Sequence, residues 1–260
     1  MSDGARREVA ALLADAERTR TPVPPLTTSH PGIDVVDAYE IQLVNIRRRL
    51  ADGAVVRGHK VGLSSLAMQQ MMGVDEPDYG HLLDDMVLTQ DVPVAAGRFI
   101  APRVEVEVGF VLGDDLPGEG CTVADVLRCT DYVVPAIELI DSRIADWKIG
   151  LADTVADNAS SAGLVLGGER RTPADIDLRG IDATLHRNGE QVAAGRSDAV
   201  LGDPAIAVAW LARTVAAFGV RLLAGHVVLP GSCTRAYDVG PGDEVVAHFA
   251  GMGSVGLSFT

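Results

Sequence analysis

The stretch RVEVEVGFVLG, residues 103–113, decides the fold. Val104, Val106, Val108, Phe110 and Leu112 fall on one side of an extended chain, and Glu105, Glu107, Gly109 and Val111 on the other. Period two is the mark of a strand, because successive side chains leave it on opposite faces. Working outward, AVVRGHKVG (54–62) and YVVPAIELID (132–141) read as strands, and Thr122 caps a helix that runs through Cys129. SSLAMQQMMG (64–73) reads as a short helix with Ser64 or Ser65 as its cap and Gly73 as its stop. Asn188-Gly189 is a hairpin signal, since both residues accept the left-handed backbone of a tight turn. Asp203-Pro204 opens a helix with Val208, Leu211, Val215 and Phe218 on its apolar face and Gly219 as its stop. HVVLPG, RAYDV, DEVVAHF and SVGLSF return the tail to strands. Upstream, Val36, Tyr39, Leu43, Ile46 and Leu50 step by three and four along a helix closed by Gly53, and PVPPL (22–26) connects it to an earlier helix. Strands without regular β-α alternation predict an α+β or mostly-β core. The expected organisation is a helical segment over 1–53 packed on a strand-rich core over 54–260, the two forming one compact unit.

Composition narrows the function. The chain has 260 residues and a formal net charge of −14, which argues against a nucleic-acid partner because a polyanion would be repelled. Three irregularly spaced cysteines encode neither a disulfide framework nor a zinc ribbon. The charged N-terminus lacks the apolar core of a signal peptide, and no run of about 18 apolar residues occurs. These features predict a cytoplasmic protein with no membrane partner. Arg47, Arg48 and Arg49 read as a solvated helix end rather than a partner site.

Some motifs are poor carriers of chemistry. Gly251, Gly253 and Gly256 spell GxGxxG, but only four residues follow, so no helix can present its N-terminus to a pyrophosphate. PGSCT (230–234) is not a nucleophile elbow. Glu105 and Glu107 are more informative, since residues i and i+2 of a strand share a face. Gly109 and Val111 continue that face without charge. Glu138 stands in the apolar PAIELI, where an unpaired carboxylate would be expensive, and Lys60 in the apolar, glycine-rich HKVGL. Two readings remain open on these residues alone: an ordinary two-faced strand, or a divalent-cation site whose oxygen donors would select Mg²⁺ or Mn²⁺ over zinc.

Longer motifs then carry a resemblance. GHKVGLSSLAMQQMMGVDEPDYGHLLDDM (58–86), PRVEVEVGF (102–110), PAIELIDSRIADWKI (135–149), DTVADNASS (153–161) and the tail GDEVVAHFAGMGSVGLSF resemble the 2-hydroxypenta-2,4-dienoate hydratase and 4-oxalocrotonate decarboxylase family of the fumarylacetoacetate hydrolase superfamily. The resemblance implies a mixed β-roll or β-sandwich core with flanking helices. It implies Glu105, Glu107 and Glu138 as carboxylates for Mg²⁺ or Mn²⁺, Lys60 and Asp78 as proton-handling groups, and Ser160 as a substrate contact. It also implies a homo-oligomer and association with neighbouring pathway enzymes. The nearest likeness is to hydratases that follow meta-cleavage of aromatic rings, including those of steroid breakdown. Asp141, Arg143, Asp153 and Asp157 read as structural turns and ion pairs, and His59 and His81 as packing beside the site.

The expected activity is addition of water to a 2-hydroxy-2,4-dienoate, giving a 4-hydroxy-2-oxo acid. The alternatives are decarboxylation of a 4-oxalocrotonate-type acid at the same metal, and a non-catalytic partner subunit. The resemblance suggests that hydratases carry an acid at the Asp78 position where decarboxylases tend to carry an apolar residue. Hydration needs a group to orient and deprotonate water, whereas loss of CO₂ favours a dry pocket.

Overall fold

The computed structural model describes residues 1–65, 69 and 76–260. The short helix expected over 64–73 lies for the most part outside these residues. Three helices lead: α1 (Asp3–Thr19), α2 (Leu26–Ser29) and α3 (Val35–Ala51). Next come β1 (Val56–Gly62), β2 (Asp78–Leu83), β3 (Arg103–Leu112), α4 (Val123–Cys129), β4 (Thr130–Ile140), α5 (Leu151–Ala156) and β5 (Ser161–Leu166). The hairpin β6 (Asp182–Arg187) and β7 (Glu190–Arg196) precedes α6 (Pro204–Ala216), and β8 (Val227–Leu229), β9 (Tyr237–Asp238), β10 (Glu244–Phe249) and β11 (Gly253–Ser258) close the chain.

The strands form two sheets. The larger has the order β2-β1-β8-β3-β4-β5, with β9 paired to the start of β3; the smaller has the order β11-β10-β6-β7. Only β1 and β8 run parallel among the paired strands described, which fits the missing β-α-β rhythm. The valine row of β3 is the deepest part of the molecule: Val104, Val106 and Phe110 are fully buried. It belongs to one continuous apolar cluster with Val245, Phe249 and Leu257 of the smaller sheet and with Val9, Leu13, Tyr39 and Ile41 of the leading helices. The outcome is the mixed helix-and-sheet fold with a curled main sheet that the resemblance implied.

Local signals held in detail. Thr122 caps α4 through the Asp125 amide, Asp203 caps α6 through the Ala205 amide, and Asn188-Gly189 turns the β6–β7 hairpin with φ values of 53° and 82°. The tail glycines lie in and beside the tight β10–β11 turn, not in a nucleotide loop. The stripe on α3 needs correction. Val36 and Leu50, at its two ends, are 56% and 39% exposed, while Ala38, Ile41 and Gln42 are buried beside Tyr39, Leu43 and Ile46. α3 packs against α1 and α5 through its middle residues, and its two end positions stay exposed. Over 197–216 one stretch is apolar enough to cross a membrane by composition. Its regular helix, α6, has 13 residues, or about 20 Å against a hydrocarbon core of about 30 Å, and Val208, Leu211 and Val215 are packed in the core.

Candidate active site

The carboxylates converge through strand register. Glu105 stands directly opposite Glu138 across the antiparallel β3–β4 pair, and Glu107 is two residues further along β3 on the same face. One oxygen from each of the three lies within 4.8 Å of the others. Glu107 and Glu138 are fully buried; Glu105 is partly exposed and so marks the open side of the cluster. Gly231 donates its backbone N–H to Glu107 Oε2 at 2.7 Å. Among the described residues, none donates a hydrogen bond to Glu107 Oε1 or to either oxygen of Glu138. Buried carboxylate oxygens without donors are costly unless a cation neutralises them.

Lys60 reaches this cluster from β1, although β8 and β3 separate β1 from β4. Three strand spacings in a flat sheet would hold the two backbones about 14 Å apart. Curling of the sheet and the length of the lysine bring Nζ to 3.5 Å from Glu138 Oε1, and the same atom donates to the Ala159 carbonyl at 2.8 Å. Asp78 opens β2, paired with Gly62 of β1. Its Oδ2 accepts from Thr154 Oγ1 at 2.9 Å, while Oδ1 is buried without a partner among the described residues. Ser160 follows two other residues in the left-handed region, Asn158 and Ala159, and shares their positive φ. Its hydroxyl is buried with no partner among the described residues. Asn158 fixes this strained turn by clasping both the N–H and the carbonyl of His81 on β2, at 2.7 and 2.9 Å.

Electrostatics divide the roles. Burial pushes Glu138 up to about 7, against the pull of Lys60, with Glu105 adding to the rise. Burial and then the charges of Glu138 and Glu105 push Glu107 well above the usual carboxylate range. Burial alone would lower the pKa of Lys60, but Glu138, Asp78, Glu105 and Glu107 outweigh it and the net shift is upward. Beside these acids Lys60 is favoured as an ammonium, suited to donating hydrogen bonds.

All six residues singled out in the sequence thus occupy one region of the main sheet: Lys60, Asp78, Glu105, Glu107 and Glu138 on four strands, and Ser160 on the turn that carries the Lys60 acceptor. The residues read as structural are so used. Asp141 accepts from the Ile100 and Ala101 amides, and Asp153 from those of Leu26, Thr27 and Gly150. Arg143 forms a buried ion pair with Asp157. His81 bonds Gln42 at 2.9 Å and lies against His59, on the face of β1 and β2 away from Lys60. Sequence reasoning missed Thr154, Asn158 and Gly231. A threonine inside a short helix gives no signal, and Gly231 acts through a backbone N–H that its residue type does not advertise.

Comparison with known proteins identifies the family. Residues 59–259 match the model of the fumarylacetoacetate (FAA) hydrolase C-terminal family. The chain belongs to this family. Within it, the chain is 45% identical over 259 residues to 2-keto-4-pentenoate hydratase of Paraburkholderia xenovorans (strain LB400), spanning 100% of this chain and 96% of the relative. It is 41% identical over 257 residues to 2-oxo-hept-4-ene-1,7-dioate hydratase of Escherichia coli, spanning 96% of each. Among solved structures it resembles 4-oxalocrotonate decarboxylase from Pseudomonas putida G7 complexed with magnesium and adipate. The TM-score is 0.96 at 36% identity, over 100% of this chain and 99% of the other.

Proposed function

We propose that this protein is a divalent-metal-dependent hydro-lyase that adds water to a 2-hydroxy-2,4-dienoate (2-oxo-4-enoate) and releases a 4-hydroxy-2-oxo acid. The observation that carries the reading is the pairing of an oxygen-only carboxylate cluster with an unpartnered Asp78 oxygen beside an ammonium. Hydratase relatives at 41–45% identity over nearly the whole chain support it.

Glu105, Glu107 and Glu138 would hold the cation; their hard oxygens and orphaned lone pairs fit Mg²⁺ or Mn²⁺. A cation held there would supply Lewis-acid polarisation of a 2-oxo acid. The remaining work falls to side chains. Hydration adds hydroxide at C4 and a proton at C5, while the enol hydrogen moves to C3 as C2 becomes a ketone. Asp78 Oδ1 is the atom with a free lone pair to accept a proton from the attacking water. Lys60 Nζ, held by the Ala159 carbonyl, donates hydrogen bonds to developing negative charge and offsets the acid cluster. The Ser160 hydroxyl, buried and unengaged, contacts the substrate.

The wider reading is a cytoplasmic homo-oligomer in aromatic or steroid ring catabolism, associated with neighbouring enzymes of the same route. A second reading, decarboxylation of a 4-oxalocrotonate-type acid, draws support from the resemblance to the P. putida decarboxylase. Asp78 favours hydration, because a carboxylate can activate water and repels a second substrate carboxylate. Loss of dienoate absorbance with purified protein, abolished by a chelator and restored by Mg²⁺ or Mn²⁺, tests the proposal. Full turnover by metal-free protein overturns the metal role, and absence of turnover without a partner protein favours a scaffold.

A further inference from the structure

Thr154 donates its hydroxyl to Asp78 Oδ2 at 2.9 Å, and both residues are 3% exposed. The mount behind it is rigid. Thr154 N–H is bonded to the Gly150 carbonyl at 3.1 Å, and the fully buried Asp153 ties the Gly150 amide to the start of α2 through Leu26. The other oxygen of Asp78 has no hydrogen-bond partner among the described residues. A Cβ built on Gly62 would lie 2.1 Å from that oxygen and 3.1 Å from Lys60 Nζ. Both atoms therefore border the same space, which exists because residue 62 has no side chain.

We propose that Thr154 is a positioning residue for the reaction: by occupying Oδ2 it fixes the plane of the Asp78 carboxylate and leaves Oδ1 as its one accepting atom beside Lys60. This rests on the hydratase reading above. A carboxylate turns readily about its last torsion, so an unpinned Asp78 would divide its time between orientations, and misplacing a reacting group by about 1 Å can cost roughly 10²-fold in rate. The pin acts on the rate and leaves the metal carboxylates untouched.

The test compares wild type, Thr154→Val, Thr154→Ala, Thr154→Ser, Asp78→Asn and the double variant Thr154→Val/Asp78→Asn, all loaded with Mg²⁺. Removing the hydroxyl lowers kcat by about 10- to 100-fold with KM and the Mg²⁺ titration midpoint unchanged, and serine restores most of the rate. On the residual activity of Asp78→Asn, Thr154→Val has no further effect, whereas a merely structural role multiplies through. Wild-type kcat in Thr154→Val and Thr154→Ala, or an equal loss with and without the Asp78 carboxylate, overturns the proposal. So does failure of the serine variant at an unchanged melting temperature. A wild type that does not hydrate dienoates overturns the hydratase reading and this inference together; an active wild type with unimpaired Thr154 variants overturns this inference alone.

Discussion

Replacing Glu138 by glutamine tests the charge state of the acid cluster through folding, independently of turnover. In the metal-free protein burial lifts this carboxyl from 4.5 to about 7, against the pull of Lys60. A carboxyl with a raised folded pKa binds more protons in the native than in the unfolded state between those two values. Its contribution is therefore fully present below pH 4.5 and is lost as pH rises through about 7. At about 1.4 kcal/mol per unit, the loss amounts to roughly 3 kcal/mol. Glutamine cannot titrate, so the variant lacks this group's share of the slope. Urea unfolding of chelator-treated wild type and Glu138→Gln, from about pH 4 to about pH 8, measures the difference directly. The stability of wild type relative to the variant should fall by roughly 3 kcal/mol across that range. Mg²⁺ should raise the melting temperature of wild type at neutral pH and leave the variant unmoved, because binding requires the deprotonated cluster. Parallel stability curves for the two proteins would refute the argument that burial raises the Glu138 carboxyl.

Lys60→Met should lower kcat by about 10²- to 10⁴-fold with folding retained, as expected for loss of a positioned donor and its charge; an unchanged rate at saturating substrate excludes Lys60 from the chemistry. Asp78→Asn should lose hydration while the metal-induced rise in melting temperature persists. Gly62→Ala places a methyl 2.1 Å from Asp78 Oδ1 and should impair turnover more than metal binding, measured by steady-state kinetics beside a Mg²⁺ titration.

Local chemistry made much of this molecule legible. The alternation in 103–112 gave β3 its two faces, and single residues such as Thr122, Asp203 and Asn188 marked helix starts and a hairpin. Carboxylates in apolar strands conflict with burial, which singles out Glu105, Glu107 and Glu138. On those residues alone an ordinary strand stays open, and the metal role comes from the resemblance. Pairings across the fold left no such trace. That Glu105 faces Glu138 is a matter of register between strands with α4 between them, and that Lys60 reaches Glu138 depends on the curl of the sheet. Thr154 and Asn158 act through atoms that any threonine or asparagine carries, so only their surroundings reveal the task. The exposed ends of the α3 stripe show the same limit, since periodicity gives a face but not the length over which a neighbour covers it.

The central claim, that this site adds water to a conjugated dienoate, is tested most directly by mass spectrometry of the products formed by the purified Mg²⁺-loaded protein. A 2-hydroxy-2,4-dienoate and 4-oxalocrotonate should be offered in parallel. The account predicts a product heavier than the dienoate by one water, with little carbon dioxide released from 4-oxalocrotonate. Dominant release of carbon dioxide, with the dienoate left unhydrated, would contradict it.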